Sequence, residues 1–499
     1  MKLNTLATVM PHHGKPDIIA PGKQMSTDYT RCFSPELPAW LVGLPYLDSR
    51  ARDITSAEVT KPGWAYIATS TIGFGKKKQR YLENLGYTVQ AEFLPGVFSH
   101  DILKNVVLMG KEVQVGERIR CEAWCLVICN VDEAYVPTEL SDASLQAPML
   151  LRNPTEAQYQ SGNQLFQGIP SMAGTDINGR LWATWYGGGT DENEHNWCVL
   201  YTSADDGVTW QGPKMVIEPE HPYARSYDPN LWTDPSGRLW FIWNQSYFHF
   251  DGRCGVWAMH TDNPDAEEPI WSEPKRLADG IAMCDPVVLE NGDWLLPTAI
   301  WGWGICDEFD KQRHSNAYIS RDKGESWEYL GSVNAYEGED SCDENMIIQL
   351  ADGSLRMLIR TRVGIEESFS ADGITWTDSK DAGLTKVISR FYITRLQSGR
   401  QLLVYNDPAD GGVLRSHMTA ALSEDDGKTW PYKLVLDERD VVSYPDAWQD
   451  QNGNIYIIYD RNRYSDMEIL MAKVTEADIL AGKLVSDTSR LRIMVNHNE

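Results

Sequence analysis

The sequence predicts an all-β protein, a six-bladed β-propeller with an N-terminal β-sandwich-like module. Three observations carry this. First, one short motif occurs four times, as Ser203/Asp205/Gly207/Trp210, Ser320/Asp322/Gly324/Trp327, Ser370/Asp372/Gly373/Trp376 (one residue shorter) and Ser423/Asp425/Gly427/Trp430. Second, from about residue 150 a strand, a turn ending in glycine and a second apolar strand recur six times. Third, Trp and Tyr (19 and 22) far outnumber Phe (11), which suits sheets and sugar stacking. A repeated hairpin implies a repeated blade, and six blades imply a ring around a central funnel.

The repeat motif has a local logic. Ser and Asp side chains cap turn N–H groups, Gly accepts positive φ, and Trp tucks under the turn. Its carboxylates are therefore expected to be structural. The second and last blades lack a good copy, and Asn263 to Trp271 reads as a degenerate one. The first strands begin near Gln167, Asp228, Asp285, Glu344, Arg390 and Tyr444. The second strands end near Tyr186, Asn244, Trp301, Arg360, Asn406 and Arg461. Acids, arginines and a tyrosine converging on one axis make that end of the ring the expected site.

Residues 1–145 form the expected N-terminal module and 146–499 the propeller. Alternating pieces at 63–69, 106–110, 113–119 and 121–131 read as strands, with a hairpin at Gly116-Glu117 and a short helix at 79–85. The module suits packing, oligomerisation or carbohydrate binding.

A net charge of −26 argues against nucleic acid as a partner. An acidic ligand would need a local basic pocket. Nine cysteines without Cys-x-x-Cys spacing read as reduced thiols of a cytoplasmic chain. The N-terminus makes a poor signal peptide, and no apolar run is long enough to span a membrane. No metal-ligand spacing is present, so no cofactor is expected, although loop carboxylates leave calcium open. The expected partner is a carbohydrate substrate, with homo-oligomer formation open.

Over residues 150 to 490 the chain resembles the sialidase superfamily of BNR, or Asp-box, proteins. The resemblance implies an exo-glycosidase acting on a terminal, acidic sugar, with a tyrosine nucleophile on the last blade, a glutamate base, an aspartate acid/base on a loop and three arginines around the substrate carboxylate. Tyr444 in Val442-Ser-Tyr-Pro-Asp446 matches the tyrosine. Glu344 in Asp343-Glu-Asn-Met346 matches the glutamate, Arg360 the second arginine and Arg415 the third. Asp191, after Gly187-Gly-Gly-Thr, matches the acid/base. The first arginine belongs to a Phe/Tyr-Arg-Ile-Pro motif; here the segment is Phe166-Gln167-Gly168-Ile169-Pro170. Glutamine cannot replace a bidentate cation. Arg390 or Arg225 is left to supply the charge, or the sugar is a different one. Gln167, Asp228, Asp285 and Trp301 complete the expected binding residues, with Trp301 as a stacking wall.

Two other readings stay open. His195 or His417 beside a tyrosine could carry β-elimination in a uronate lyase. A non-catalytic propeller would bind glycan without turnover.

Overall fold

The computed structural model describes all residues except 1, 12–14, 24–31, 49–54, 71–74, 93–96, 98–105, 122–124, 136–145, 177, 193–194, 221–223, 248–253, 301–313, 334–342 and 499. The fold is all-β, as expected. Two sheets precede residue 132, one of four strands and one of six, and six antiparallel sheets follow. The helix expected at 79–85 spans Gly75–Asn84. The hairpin expected at Gly116-Glu117 does not form. Strand Val106–Val113 pairs within the six-stranded sheet, whereas Arg118–Cys121 pairs with Thr55–Lys61 in the other. The turn carries the chain from one sheet to the other, which a local pattern of apolar runs cannot distinguish from a hairpin.

The six later sheets follow one another in chain order. The first also takes up strand Met149–Arg152 at its edge. In every sheet the turn between first and second strands closes on a glycine with positive φ: Gly179, Gly237, Gly292, Gly353, Gly399 and Gly453. Asn, Asp or Ser precedes each, the composition that such turns demand.

Hydrogen bonds tie each sheet to the next. Leu231 N–H donates to Ser171 Oγ at 2.8 Å, Asn244 Nδ2 to the Ala282 carbonyl at 2.8 Å and Asn345 Nδ2 to the Asn316 carbonyl at 3.2 Å. Ala351 N–H donates to Asp426 Oδ2 at 2.8 Å and Asn406 Nδ2 to the Val442 carbonyl at 3.0 Å. The sixth sheet is bonded back to the first, with Met172 N–H donating to Asp446 Oδ2 at 3.0 Å. Apolar side chains such as Leu403, Ile457, Leu470 and Phe391 fill the spaces between sheets.

The repeat motif closes the outer hairpins as its chemistry dictates. Thr209 N–H and Oγ1 both donate to the Asp205 carboxylate, at 2.8 and 2.6 Å, and Gly207 N–H donates to Ser203 Oγ at 3.0 Å. The same bonds recur at Ser320/Asp322/Ser326 and Ser423/Asp425/Thr429. The degenerate copy works likewise: Thr261 Oγ1 and Ile270 N–H donate to Asn263 Oδ1 at 2.8 and 3.1 Å. In the sixth sheet a capped helix replaces the motif, with Thr475 as N-cap of Glu476–Ala481.

The first strands carry the feature that builds the site. In four sheets the pairing register slips, between Gly168/Ser171, Tyr227/Asn230, Asp343/Met346 and Ser443/Asp446. Each bulge holds one non-glycine residue in the left-handed region: Ile169 (φ 56°), Asp228 (46°), Glu344 (54°) and Tyr444 (55°). A bulge re-aims a side chain at modest backbone strain. The four residues are therefore topological equivalents.

Candidate active site at the bulged strands

All four bulge residues line one cavity of about 440 Å³. The rest of its wall comes from Glu192, Arg225, Met283, Arg360, Arg415, Ser443, Arg463 and Tyr464, among others. Four guanidinium groups and three carboxyl groups thus share one small space, in a protein whose net charge is −26.

Tyr444 Oη donates to Glu344 Oε1 at 2.6 Å. Arg360 Nη1 lies 2.6 Å from the same carboxylate oxygen and 3.3 Å from the tyrosine oxygen. Burial pushes the Tyr444 phenol well above its ordinary value. Arg360 pulls against that, Glu344 adds to it, and Arg415 and Arg463 oppose it. Tyr444 is thus a neutral phenol at pH 7, poised to pass its proton to the carboxylate it touches. Arg415 anchors its Nε and Nη2 on the Ile388 carbonyl, at 3.0 and 2.9 Å, with its Cζ 5.1 Å from the Tyr444 ring centroid.

Asp228 faces the same space. It is buried, and its Oδ1 has no hydrogen-bond partner. Burial raises its carboxyl to about 7, against the pull of Arg225 and with Glu192 and Glu344 adding to the rise. Arg225 holds its Cζ over Tyr227, 3.7 Å from the ring centroid, and donates Nη1 to Asn196 Oδ1 at 3.1 Å.

Several sequence expectations need correction. Gln167 does not face the cavity. Its Nε2 donates to the Met467 carbonyl at 2.5 Å and to Asn496 Oδ1 at 3.0 Å, and its Oε1 accepts from Trp185 Nε1 at 3.1 Å. The residue equivalent to Tyr444 and Asp228 is Ile169, two positions on. The signal was present: Ile169, Asp228 and Tyr444 each precede a proline.

Arg390 is a structural hub rather than a ligand contact. It is 1 % exposed and donates to the carbonyls of Met283, Pro170 and Pro445, each at 3.0 Å. It thereby stitches the segments that open the third, first and sixth sheets. Asp285 is likewise absent from the wall; it accepts from Tyr392 Oη at 2.9 Å, and burial beside Asp446 raises its carboxyl well above the usual range. In both segments the paired strand starts only later, at Val287–Val288 and Tyr392–Arg395, so no bulge re-aims the side chain.

Asp191 stands just behind the wall. Its Oδ1 accepts the Glu192 amide at 2.8 Å, it interacts with Tyr464, and Glu192 is the residue that reaches the cavity. Arg461 pairs with Asp466 and Glu468, away from the cavity. Neither histidine proposed for elimination lines it: His195 stacks on Tyr81 at 5.8 Å, and His417 bonds Ser416 Oγ at 3.0 Å. Trp301 lies outside the described residues.

Sequence reasoning missed Glu192 and Arg463. Arg463 sits in the turn after strand Asn454–Arg461, where the chain gives only an Arg-rich loop, Arg461-Asn-Arg463. Among the described residues no cluster of three or more His, Cys, Asp or Glu is arranged to hold a metal ion, and no helix is long and apolar enough to cross a membrane.

The BNR repeat-like domain family matches residues 179–457, more than half of the chain. The chain belongs to this family of sialidase-like BNR-repeat proteins. No curated protein matches the sequence. Similar solved structures include a Hadza microbial sialidase (15 % identity, 92 % of this chain and 96 % of that one, TM-score 0.48). A leech intramolecular trans-sialidase is also similar (11 %, 96 % and 94 %, TM-score 0.49), as is a protein of unknown function from Dyadobacter fermentans (18 %, 64 % and 95 %, TM-score 0.47). The family assignment rests on the sequence match.

Proposed function

We propose that the protein is a glycoside hydrolase that removes a terminal acidic sugar, and that its six consecutive sheets are the blades of a propeller with the cavity at the funnel mouth. One observation carries the reading: Tyr444 donates to Glu344 at 2.6 Å, with Arg360 on the same carboxylate, inside a cation-rich cavity.

The chemistry follows from charge. Glycosidic cleavage passes through an oxocarbenium-like state. If the sugar bears a carboxylate beside the anomeric carbon, an anionic nucleophile is repelled, whereas a neutral phenol is not. Tyr444 attacks the anomeric carbon as Glu344 takes the phenolic proton, and the glycosidic C–O bond breaks. Arg360 holds Glu344 in place. The leaving oxygen needs a proton. Asp228 is assigned that role, because a buried carboxyl titrating near 7 is both protonated often enough to donate and acidic enough to do so. Water, giving a proton to the resulting Asp228 carboxylate, then attacks the anomeric carbon; the bond from Tyr444 Oη to the sugar breaks, and Glu344 returns the proton to the phenolate. Two displacements give net retention of configuration. Asp191, which the family resemblance implies for the proton transfer, would act only by moving past Tyr464.

The test is turnover of aryl glycosides of acidic and neutral sugars by the purified protein, with anomeric configuration followed by NMR. Release of an acidic sugar with retention is expected. Cleavage confined to neutral glycosides, or inversion, would reject the reading.

A further inference from the structure

The cavity holds a second arginine–carboxylate pair that the nucleophile does not use. Arg463 is buried, and its Cζ stands 4.0 Å from the Tyr444 ring centroid. Its Nε donates to Asp460 Oδ2 at 2.7 Å, its Nη2 to Ser443 Oγ at 3.2 Å and its Nη1 to Glu192 Oε1 at 2.9 Å. Its aliphatic stem crosses the backbone of Gly168. A Cβ on residue 168 would come within 2.5 Å of Arg463 Cδ and 2.6 Å of Cγ. Gly168 does not adopt a positive φ. Glycine is therefore required there for clearance: any other residue would push Arg463 off the wall.

The two carboxylates on Arg463 differ in kind. The Asp460 side chain is 1 % exposed and also accepts the Ile169 amide at 2.7 Å and Ser443 Oγ at 2.6 Å. It is a fixed part of the sixth sheet. The Glu192 side chain is 25 % exposed, lines the cavity and comes from the turn that follows Gly187-Gly188-Gly189. The other cations near Tyr444 have no exposed carboxylate to exchange: Arg360 pairs with Glu344, whose side chain is 4 % exposed, and Arg415 spends Nε and Nη2 on a carbonyl.

We propose that Arg463 receives the carboxylate of the substrate and that Glu192 is an internal carboxylate occupying its Nη1 until the substrate displaces it. The exchange conserves charge and hydrogen bonds at the guanidinium, so an acidic sugar can drive it. A neutral sugar offers no carboxylate to replace Glu192 and leaves the pair closed. Affinity for the acid is lowered by the free energy needed to expel Glu192, and selectivity is gained. This rests on the acidic-sugar reading above.

Calorimetric titration with N-acetylneuraminic acid, and with neutral N-acetylmannosamine as control, tests it on wild type, Glu192→Gln, Gly168→Ala and Arg463→Lys. Glu192→Gln should bind the acid about tenfold more tightly, one charge-assisted bond's worth of relief. Gly168→Ala and Arg463→Lys should bind it about tenfold more weakly. The neutral control should not change. Glu192→Gln alters a partly exposed turn residue, so the test survives if the buried arginine variant fails to fold. If wild type binds the acid but Glu192→Gln binds no tighter, Arg463 is not the receptor, and the acidic-sugar reading stands. If no form, wild type included, binds the acid, that reading falls and this inference with it.

Discussion

Tyr444 and Glu344 lie 100 residues apart and occupy the same bulge position in the sixth and fourth sheets, where their side chains meet at 2.6 Å. The repeat that builds the fold also builds the site. In four of the six sheets one strained position faces the cavity, and sequence at that position alone decides whether it is apolar, acidic or phenolic. Ile169, Asp228, Glu344 and Tyr444 are four choices at one geometric place.

Tyr444→Phe removes the oxygen and keeps the ring. We expect kcat to fall by about 10³-fold or more, with denaturant stability close to wild type. Glu344→Gln should cost about as much, and the double variant little more, because the two act as a unit. Additive losses in steady-state kinetics would break the pair into independent roles.

Asp228 should make activity and stability depend on pH in the same window. Its folded-state value, about 7, is raised above the ordinary 3.8. The folded state then holds a proton that the unfolded state releases, so this group contributes a stability loss that grows as pH rises from about 4 to 7 and levels off above. As the proposed proton donor it should also set a limb on which rate falls above pH 7. Asp228→Asn should abolish that limb along with most of the rate, and should flatten the stability slope. Asp191→Asn should leave the limb intact; if instead it alone removes the limb, the proton donor is Asp191.

Arg390→Met tests the hub. Four carbonyls, those of Met283, Pro170, Tyr444 and Pro445, would lose their donor, and a cost of about 3–5 kcal/mol is expected on urea unfolding, as for broken buried charge networks. Lysine should rescue poorly, because one ammonium cannot span the same carbonyls. A folded Arg390→Met protein of wild-type stability with a raised KM would return Arg390 to the substrate.

Gln167→Arg should not restore anion binding. The side chain is buried and bonded to Met467 and Asn496, so the longer cation would be forced into packed structure. The expected outcome is lower Tm with no gain on sialosides; a gain would show that the residue can swing into the cavity.

The motif carboxylates should report on folding alone. Asp425 is held down to about 2 by Thr429 and Ser423. Its contribution is present in full above the ordinary value of 3.8 and is lost as pH falls through about 2. Asp425→Asn should lower Tm at pH 6, leave the two proteins alike near pH 1.5, and not change KM.

The sequence by itself determined the all-β class, the six-fold repeat and the turn chemistry, because each depends on residues within about ten of one another. Ser203, Asp205 and Thr209 satisfy their own hairpin wherever it sits. It also singled out Tyr444, Glu344, Arg360 and Arg415, through motif and chain order. The inward register was not legible. Gln167 and Ile169 are both plausible strand residues, and only the slip between Gly168 and Ser171 decides which one faces the cavity. Nor was the fate of Arg390, since an arginine bound to backbone carbonyls looks in sequence like any other. Arg463 and Glu192 are 271 residues apart and share no motif. Their meeting over Gly168 depends on the return of the sixth sheet to the first, which only tertiary closure supplies.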